Sequence, residues 1–554
     1  MWMAAFGRGN FEKMRIRCAK ISIYRNSLNP YKPTMFATMA TFLRMLRTGW
    51  VLARHDALVP KEYAGAVPFP VRIVGWISRL FAISGRAKNP GERFANALEK
   101  LGPAYIKFGQ ILSTRGDMLD PVFVRGLARL KDKVPPFAQK KAESLLEQEW
   151  GVPWSEKLES FSDSIAAASV AQVHKGVLKN GETVAVKILR PDIHRRMRND
   201  MAVLNMVAGL AEFFVPDTKR LGPKKFVATA NRAVMLELDL RLEAAAASEL
   251  SEAAIETGLY KVPEIHWDLG GKTVLVTEWI DGIAVSDERI LTDPRYDRKD
   301  IARRVMQSFL ACSFDYGVFH ADMHEGNMIV TDEGDLVLID FGILGRLAPK
   351  EQRFHAEILY GFLLRDYQRI AEVHFEAGYV PSHHSIEDFA SALRSVGEPI
   401  FGKTSENVSM SKVLLQLFEI TEIFDMEMQP QLIMLQKTMM QTEGVCRRLD
   451  PEFDMWEVSR PVVEASMRRE LGVEGRVNDL LTGLDKARRT LEKLPDATEN
   501  IAALAKAWAD GDIDLSKGPA VTTQKSGAPM WKGFAWAGAG AVIALGGAWA
   551  VTQL

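Results

Sequence analysis

Three oxygen-bearing side chains define the chemistry open to this chain: Asp322, Asn327 and Asp340. Asn327 follows Asp322 by five residues (327 − 322), and Asp340 follows Asn327 by thirteen (340 − 327). The apolar run Val337-Leu338-Ile339 leads into Asp340 and predicts a buried strand. An Asp, an Asn and a second Asp at strand ends form an oxygen-rich cluster suited to Mg²⁺ and to phosphate oxygens. Mg²⁺ takes a few hard oxygen ligands and completes its shell with water and substrate phosphate. A lone His320-x-Asp322…Asn327 arises readily by chance; Asp340-Phe341-Gly342 behind an apolar strand makes chance a poor account.

The spacing repeats the catalytic loop H-R-D-L-x-x-x-N and the D-F-G of protein kinases, with Ala321 in place of Arg. Upstream, Asn180-Gly181 is a two-residue hairpin signal between Ala171–Val177 and the strand Thr183-Val184-Ala185-Val186-Lys187-Ile188. Such a strand Lys holds the α/β-phosphates in a kinase N-lobe. The loop above the phosphates is glycine-rich in kinases. Here the stretch Ala166, Ala167, Ala168, Ser169, Val170, Ala171, Gln172, Val173, His174 is Ala-rich, and its Cβ atoms restrict the approach of backbone to phosphate. A buried Lys187 needs an acidic partner. Candidates lie on a helix expected from about Lys224 to Thr257, where Glu237, Asp239 and Glu243 occur; Asp239 and Glu243, four apart, share a helix face. Thr273 to Ile280 predicts a buried strand running into an inter-lobe hinge, with the backbone around Glu278 to Ile280 facing an adenine edge.

The chain of 554 residues is too long for one compact core. Its 70 Lys and Arg balance 70 Asp and Glu, so the overall charge gives no attraction to nucleic acid. Cys18, Cys312 and Cys446 are far apart with no C-x-x-C, against a disulfide framework or zinc site and consistent with a reducing compartment. No apolar h-region with a cleavage site marks a secretory signal.

Residues 1–60 read as a basic amphipathic segment. Phe36, Met39, Phe42, Leu43, Leu46 and Trp50 recur at helical spacing with Arg44 and Arg47 between them. Such a helix either lies on an anionic membrane surface or packs on the rest of the protein. Residues 61–160 form a helical extension carrying Lys107-Phe108-Gly109-Gln110, then Ser113, Arg115 and Asp117. Residues 161–282 and 283–510 are the expected N-lobe and helical C-lobe, and 511–530 a polar linker. No A-P-E follows the D-F-G at the usual distance, so the segment that docks peptide substrates is not recognisable. Gly533 to Leu554 contains no charge and would reach roughly 33 Å as a helix, long enough for one membrane span. Trp531, Trp536 and Trp549 sit near its ends, Lys525 and Lys532 precede it, and a small-residue stripe invites helix pairing such as a homodimer. The expected architecture is thus α+β, a protein-kinase-like two-lobed fold with an N-terminal helical extension and a transmembrane helix at 531–554.

These motifs resemble those of the UbiB family of atypical protein-kinase-like proteins. The resemblance covers roughly Pro90 to Asp510 and rests on K-x-G-Q at Lys107–Gln110, the Ala-rich loop, Lys187, E-x-D at Glu237–Asp239, Asp322 with Asn327, and Asp340-Phe341-Gly342. It implies ATP and Mg²⁺ binding, support of ubiquinone (coenzyme Q) biosynthesis, and action at membranes, at the cytoplasmic face of a bacterial inner membrane. Membrane lipids such as cardiolipin, quinone-precursor lipids and the biosynthetic enzymes are the implied partners. By the same resemblance Lys107 and Gln110 gate the site, held by Glu237 and Asp239, and Glu243 pairs with Lys187. Asp322 is the implied catalytic residue, with Asn327 and Asp340 as metal ligands. Met323 and Glu325 stand where the family usually has Pro, and Glu325 adds negative charge beside the metal-binding loop.

The leading expectation is an ATPase or atypical kinase. The alternative is a nucleotide-gated membrane scaffold in which turnover is not required, favoured by the Ala-rich loop and the missing A-P-E. A flavin-dependent hydroxylase lacks its expected G-x-G-x-x-G after an N-terminal strand.

Overall fold

The computed structural model describes residues 35–62, 69–83, 87, 89–113, 121–127, 129–130, 134–214, 222–399, 416, 419–421, 423–426 and 430–471. The expected span at 531–554, its linker, the basic run before Met35, and Arg115 and Asp117 lie outside the described residues. Among the described residues no helix is long and apolar enough to cross a membrane.

Five helices open the described chain: α1 (Met35–Arg54), α2 (Phe69–Arg79), α3 (Pro90–Leu101), α4 (Pro103–Ser113) and α5 (Pro121–Leu127). Asn89 starts α3 by accepting the Gly91 N–H at 2.8 Å, with Pro90 at the first helical position, where no N–H is needed. Helices α3 and α5 touch through Gly91 and Gly126. A Cβ on Gly126 would lie 2.4 Å from the Gly91 carbonyl carbon, so only glycine permits this approach. Helix α1 has two faces: Met45 and Leu52 are buried, whereas Met39, Leu43, Leu46 and Trp50 are exposed. The packed alternative therefore describes one face of this helix and leaves the other open.

The next layer is a four-stranded antiparallel sheet in the order β1 (Leu158–Ala167), β2 (Ala171–Leu178), β3 (Thr183–Leu189), β4 (Val274–Glu278). Gly181 takes a positive φ of 86° in the β2–β3 turn, which is the conformation the Asn-Gly signal calls for. Strand alternation sends Val184, Val186 and Ile188 into a core with Ala142 and Leu146 of α6 (Gln139–Trp150), and it turns Lys187 to the opposite face. Between β3 and β4 run α7 (Ile193–Phe214), α8 (Pro223–Glu237) and α9 (Leu240–Thr257). The single helix expected from Lys224 to Thr257 is thus two. Asp239 takes an extended backbone (φ −119°, ψ 95°) and caps α9 by accepting the Arg241 N–H, which ends one helix and begins the next. One apolar core joins the extension to these helices: Phe94, Phe108, Leu112 and Leu127 pack with Met197, Val234 and Leu240.

After a short strand β5 (Ile283–Ala284), helix α10 (Arg298–Ala311) runs through a π turn at Cys312–Tyr316 into β6 (Val318–His320). Strands β7 (Met328–Val330), β8 (Leu336–Leu338) and β9 (Leu344–Arg346) follow, with β5-β7-β8 and β6-β9 as separate small sheets. Helices α11 (Pro349–Leu364), α12 (Tyr367–Glu376), α13 (Ile386–Gly397), α14 (Pro430–Leu449) and α15 (Met455–Leu471) complete the described chain. Phe309, Phe319, Met328, Leu338 and Cys446 share the core beneath the β6–β7 connection, which carries Asp322 and Asn327. Residues 472–510 of the expected C-lobe lie outside the described residues.

Candidate functional site

Lys187 is the meeting point of the two lobes. Its Nζ lies 2.5 Å from Glu243 Oε1 and 3.2 Å from Asp340 Oδ1. Glu243 sits in the first turn of α9, and the break at Leu238-Asp239 aims that turn at the sheet face bearing Lys187. Burial alone would push the Lys187 ammonium down, but Asp340 and Glu243 outweigh it and hold the group charged well above its usual value. Lys187 in turn holds the Asp340 carboxyl well below the usual carboxylate range, with help from Lys107. Asp340 occupies the left-handed region at φ 62°, which Asp tolerates better than most residues. The Gly342 N–H points back to its Oδ1 at 3.4 Å.

The loop from His320 to Asn327 is fixed from inside. His320 is buried; its Nδ1 accepts the Asp322 N–H at 3.1 Å, and its Nε2 lies 3.2 Å from the Ile339 carbonyl as donor. Burial pushes this imidazole down, which keeps it neutral and able to fill both roles at once. Asn327 Nδ2 donates to the Asp322 carbonyl at 3.1 Å. That bond uses the Asn327 amide nitrogen and leaves its side-chain oxygen free of it. Asp322, Asn327 and Asp340 thus offer hard oxygens and no sulfur or nitrogen ligand, a donor set that fits Mg²⁺.

Helix α14 braces this loop from a distance in sequence that local reading could not bridge. Thr438 Oγ1 donates to the Ala321 carbonyl at 3.2 Å, and Gln441 Nε2 donates to Asp322 Oδ1 at 3.3 Å. Arg448 Nη1 lies 2.8 Å from Glu325 Oε2, so the negative charge that Glu325 adds to the His320–Asn327 loop is matched by a cation. A cavity of about 460 Å³ lies between His324, Glu325 and Gly326 on one side and Gln441 and Gly444 on the other, and two of its lining residues, Gln441 and His324, approach the Asp322 carboxylate at 3.3 and 3.7 Å. No motif signalled Thr438, Gln441 or Arg448.

The K-x-G-Q helix is α4. Ala104, Tyr105, Ile106, Phe108 and Leu112 are buried against the extension core, which leaves Lys107 turned toward α8. Lys107 Nζ lies 3.1 Å from Glu237 Oε2 at the last residue of α8. Gly109 serves packing here: a Cβ would fall 2.4 Å from Leu130 Cδ1 and 2.5 Å from Leu98 Cδ1. Asp239 does not join this clasp. Its carboxylate faces Arg241 at 2.8 and 2.6 Å, because its role as helix cap turns it toward its own chain. Among the described residues Gln110 makes no side-chain hydrogen bond, and its carbonyl accepts from Ser113 Oγ.

The Ala-rich stretch splits by face. Ala168, Ser169 and Val170 form the β1–β2 turn, and Arg190 ties it down by donating to the Ala168 carbonyl at 2.9 Å and to the Val134 carbonyl at 3.0 Å. Ala166 and Ala167 end β1, and Ala171 begins β2. Val173 pairs with Lys187 across the ladder and shares its face. Gln172 and His174 pair with Ile188 and Val186, so both turn to the α6 side. There Gln172 accepts the Phe137 N–H at 2.9 Å and His174 stacks on Phe161 at 4.5 Å. The two-residue period of a strand thus removes these side chains from the face that bears Lys187. At the hinge, the Glu278 N–H is committed to the Glu264 carbonyl at 2.8 Å and cannot serve an adenine edge. Among the described residues the Ile280 backbone makes no hydrogen bond.

Two family models match the chain. The ABC1 atypical kinase-like domain matches residues 129–374, and the UbiB helical domain matches residues 393–454. A probable protein kinase UbiB of Marinobacter nauticus is 38% identical over 449 residues, covering 80% of this chain and 82% of its own length. One of Pseudomonas putida is 42% identical over 383 residues, covering 68% and 71%. A solved Mycobacterium tuberculosis chain in complex with erythromycin is 23% identical with a TM-score of 0.47, covering 64% of this chain and 90% of its own.

Proposed function

The chain belongs to the UbiB family of atypical kinases, which implies ATP as substrate and a role in ubiquinone biosynthesis, and from that premise we propose a membrane-associated, magnesium-dependent ATPase. Its turnover would act on lipid precursors of the quinone or on the biosynthetic complex. The single observation that carries this reading is Lys187, shared between Glu243 at 2.5 Å and Asp340 at 3.2 Å. A strand Lys held in reserve by two carboxylates is poised to transfer its charge to an incoming phosphate chain.

In this reading Lys187 holds the α/β-phosphates. Asp322, oriented by His320 and Gln441, directs the attacking water or hydroxyl and accepts its proton. Magnesium on Asp340 and Asn327 would neutralise phosphate charge. Positioning and charge stabilisation supply most of the gain in such reactions. The Ile280 backbone is the adenine-edge candidate. Lys107, clasped to Glu237 and acting electrostatically on Asp340, gates the site from the extension. The cavity beside Asp322 suits an acceptor, and the charge-free 533–554 segment would hold the enzyme on the cytoplasmic face of the inner membrane.

One observation favours the scaffold reading: Arg190 fixes the Ala-rich turn to the extension, where a turnover enzyme commonly keeps that loop free to close. ATP hydrolysis by the purified full-length chain, compared with Lys187→Ala and Asp322→Asn, separates the two. Hydrolysis abolished together with quinone synthesis supports the ATPase. Quinone synthesis retained by Asp322→Asn without hydrolysis overturns it in favour of the scaffold.

A further inference from the structure

Two adjacent histidines and one aspartate meet at a corner of the C-lobe that the nucleotide reading does not use. His383 and His384 lie between α12 and α13, and Asp425 lies ahead of α14. Their ligand atoms, two imidazole nitrogens and a carboxylate oxygen, all lie within 4.8 Å of one another. Asp425 Oδ2 faces both rings, 3.3 Å from His384 Nε2 and 3.7 Å from His383 Nε2.

The local chain explains why neighbouring residues point one way. In a strand successive side chains leave opposite faces, and on a helix they diverge by about 100°. Here Pro381 to His384 form a turn, closed by the His384 N–H donating to the Pro381 carbonyl at 3.2 Å. The two rings come within 4.1 Å between centres. Buried Val380 anchors the turn on one side, and on the other Ser385 caps α13 by accepting the Asp388 N–H at 3.1 Å. Asp425 is placed by its neighbours. Ile420 and Phe424 are buried with Phe389 and Leu393 of α13, and the Phe424 ring lies 5.2 Å from that of His384. Asp425 itself takes φ 48°, in the left-handed region that Asp tolerates better than most residues.

The separations decide what the cluster suits. Zn²⁺ takes imidazole nitrogen and carboxylate oxygen at about 2.0–2.2 Å, and a tetrahedron of that size has edges of about 3.3–3.6 Å. Asp425 Oδ2 stands about one such edge from each imidazole nitrogen. Two nitrogens and one oxygen form a donor set of borderline hardness, which favours Zn²⁺ or a neighbouring first-row ion over Mg²⁺ and Ca²⁺. In this the cluster differs from the all-oxygen set of Asp322, Asn327 and Asp340. The side chains of His383 and Asp425 are 66% and 69% exposed, so water has access to complete a coordination shell. His384, 20% exposed, is the fixed member.

We propose that His383, His384 and Asp425 form a binding site for a divalent transition ion of the Zn²⁺ class, with water in the remaining position. The bound ion ties residues 423–426 to the α12–α13 corner, adding a coordinate link to the apolar contacts of Ile420 and Phe424. Helix α14 begins five residues beyond Asp425 (430 − 425) and carries Thr438 and Gln441, so the link lies close in sequence to the brace of the Asp322 loop. The site stands apart from the nucleotide residues, and its test needs no turnover.

Calorimetric titration of the metal-stripped full-length chain with Zn²⁺, in excess Mg²⁺ to fill the oxygen-only sites, measures the binding. Hydrogen exchange on the same samples locates it. The expected result is Zn²⁺ binding with slower exchange in peptides covering 380–385 and 423–426, and no such slowing with Mg²⁺ alone. Losing even an outer partner of a metal site costs about 10–100-fold in affinity, so losing a ligand should cost at least about tenfold. His383→Ala and Asp425→Asn should each show that loss. Asn tolerates the left-handed backbone at 425, and His383 lies on the open side of its turn, so either variant serves if the other disturbs the fold; circular dichroism checks both. Zn²⁺ binding of parent strength in a folded variant, slowed exchange that spares both peptides, or no Zn²⁺ binding by the parent chain overturns the proposal.

Discussion

Replacing Glu243 by Gln removes one of the two carboxylates on Lys187 while keeping its shape and an oxygen acceptor. The pair is 2.5 Å apart, with Glu243 8% and Lys187 18% exposed. Stranding a buried charge by removing its partner costs about 3–5 kcal/mol. Lys187 is not stranded here, because Asp340 remains 3.2 Å away. The expected loss is therefore smaller, about 1–2 kcal/mol of local stability. The larger consequence falls on Asp340. A unit charge about 4 Å away contributes about 4 kcal/mol at an effective dielectric of about 20, and Lys187 now divides that attraction between two acids. Moving about a third to a half of it onto Asp340 amounts to about 1.4–2 kcal/mol, which is roughly ten- to thirtyfold in affinity. Because Lys187 then competes harder for the carboxylate proposed to hold magnesium, the variant should need roughly ten- to thirtyfold more Mg²⁺ to half-saturate nucleotide binding. Titration of Mg²⁺ against a fluorescent ATP analogue measures this, with circular dichroism confirming the fold. A Mg²⁺ midpoint equal to that of the parent, in a folded variant, would refute the view that Glu243 and Asp340 share the Lys187 charge.

Lys107→Met opens the clasp to Glu237 and lifts a positive charge from the neighbourhood of Asp340. Nucleotide should then bind about fivefold tighter, about 1 kcal/mol, with faster association in stopped flow; weaker binding would count against gating. Gly109→Ala forces a methyl onto Leu98 and Leu130, and should lower stability by about 1–3 kcal/mol in urea titration. His374 supplies a pH dependence. Burial pushes its imidazole down to about 4, so the unfolded chain takes up a proton first as pH falls below about 6.5. Stability present above that pH is lost as pH falls toward 4, by about 3 kcal/mol in the limit. His374→Gln should flatten the unfolding profile over that window, and an unchanged slope would assign the acid sensitivity elsewhere.

Local spacing carried much of the site. A hairpin signal at Asn180-Gly181 and the alternating strand after it put Lys187 on a sheet. The intervals between Asp322, Asn327 and Asp340 predicted an oxygen cluster, because strands and tight loops fix geometry over a few residues. The sequence also named Glu237, Asp239 and Glu243 as the acids near Lys187. Local spacing did not divide their roles; the family resemblance assigned Glu243 to Lys187 and both Glu237 and Asp239 to the Lys107–Gln110 motif, and one extended residue at Asp239, which ends α8 and caps α9, takes Asp239 out of that clasp. The folded chain has Glu237 meeting Lys107 and Glu243 meeting Lys187, and it alone decided that Asp239 meets Arg241. The side of the sheet taken by Gln172 and His174 was likewise settled by ladder register, which a one-residue slip would reverse. Thr438, Gln441 and Arg448 reach the His320–Asn327 loop from more than a hundred residues away. A cavity lined by Arg44 and Arg47 of α1 and Arg195 and Arg196 of α7 joins those helices across a similar distance. Short-range periodicity sets which way a side chain leaves its own helix or strand. What it meets there depends on how separate elements pack, and that information lies in the tertiary structure alone.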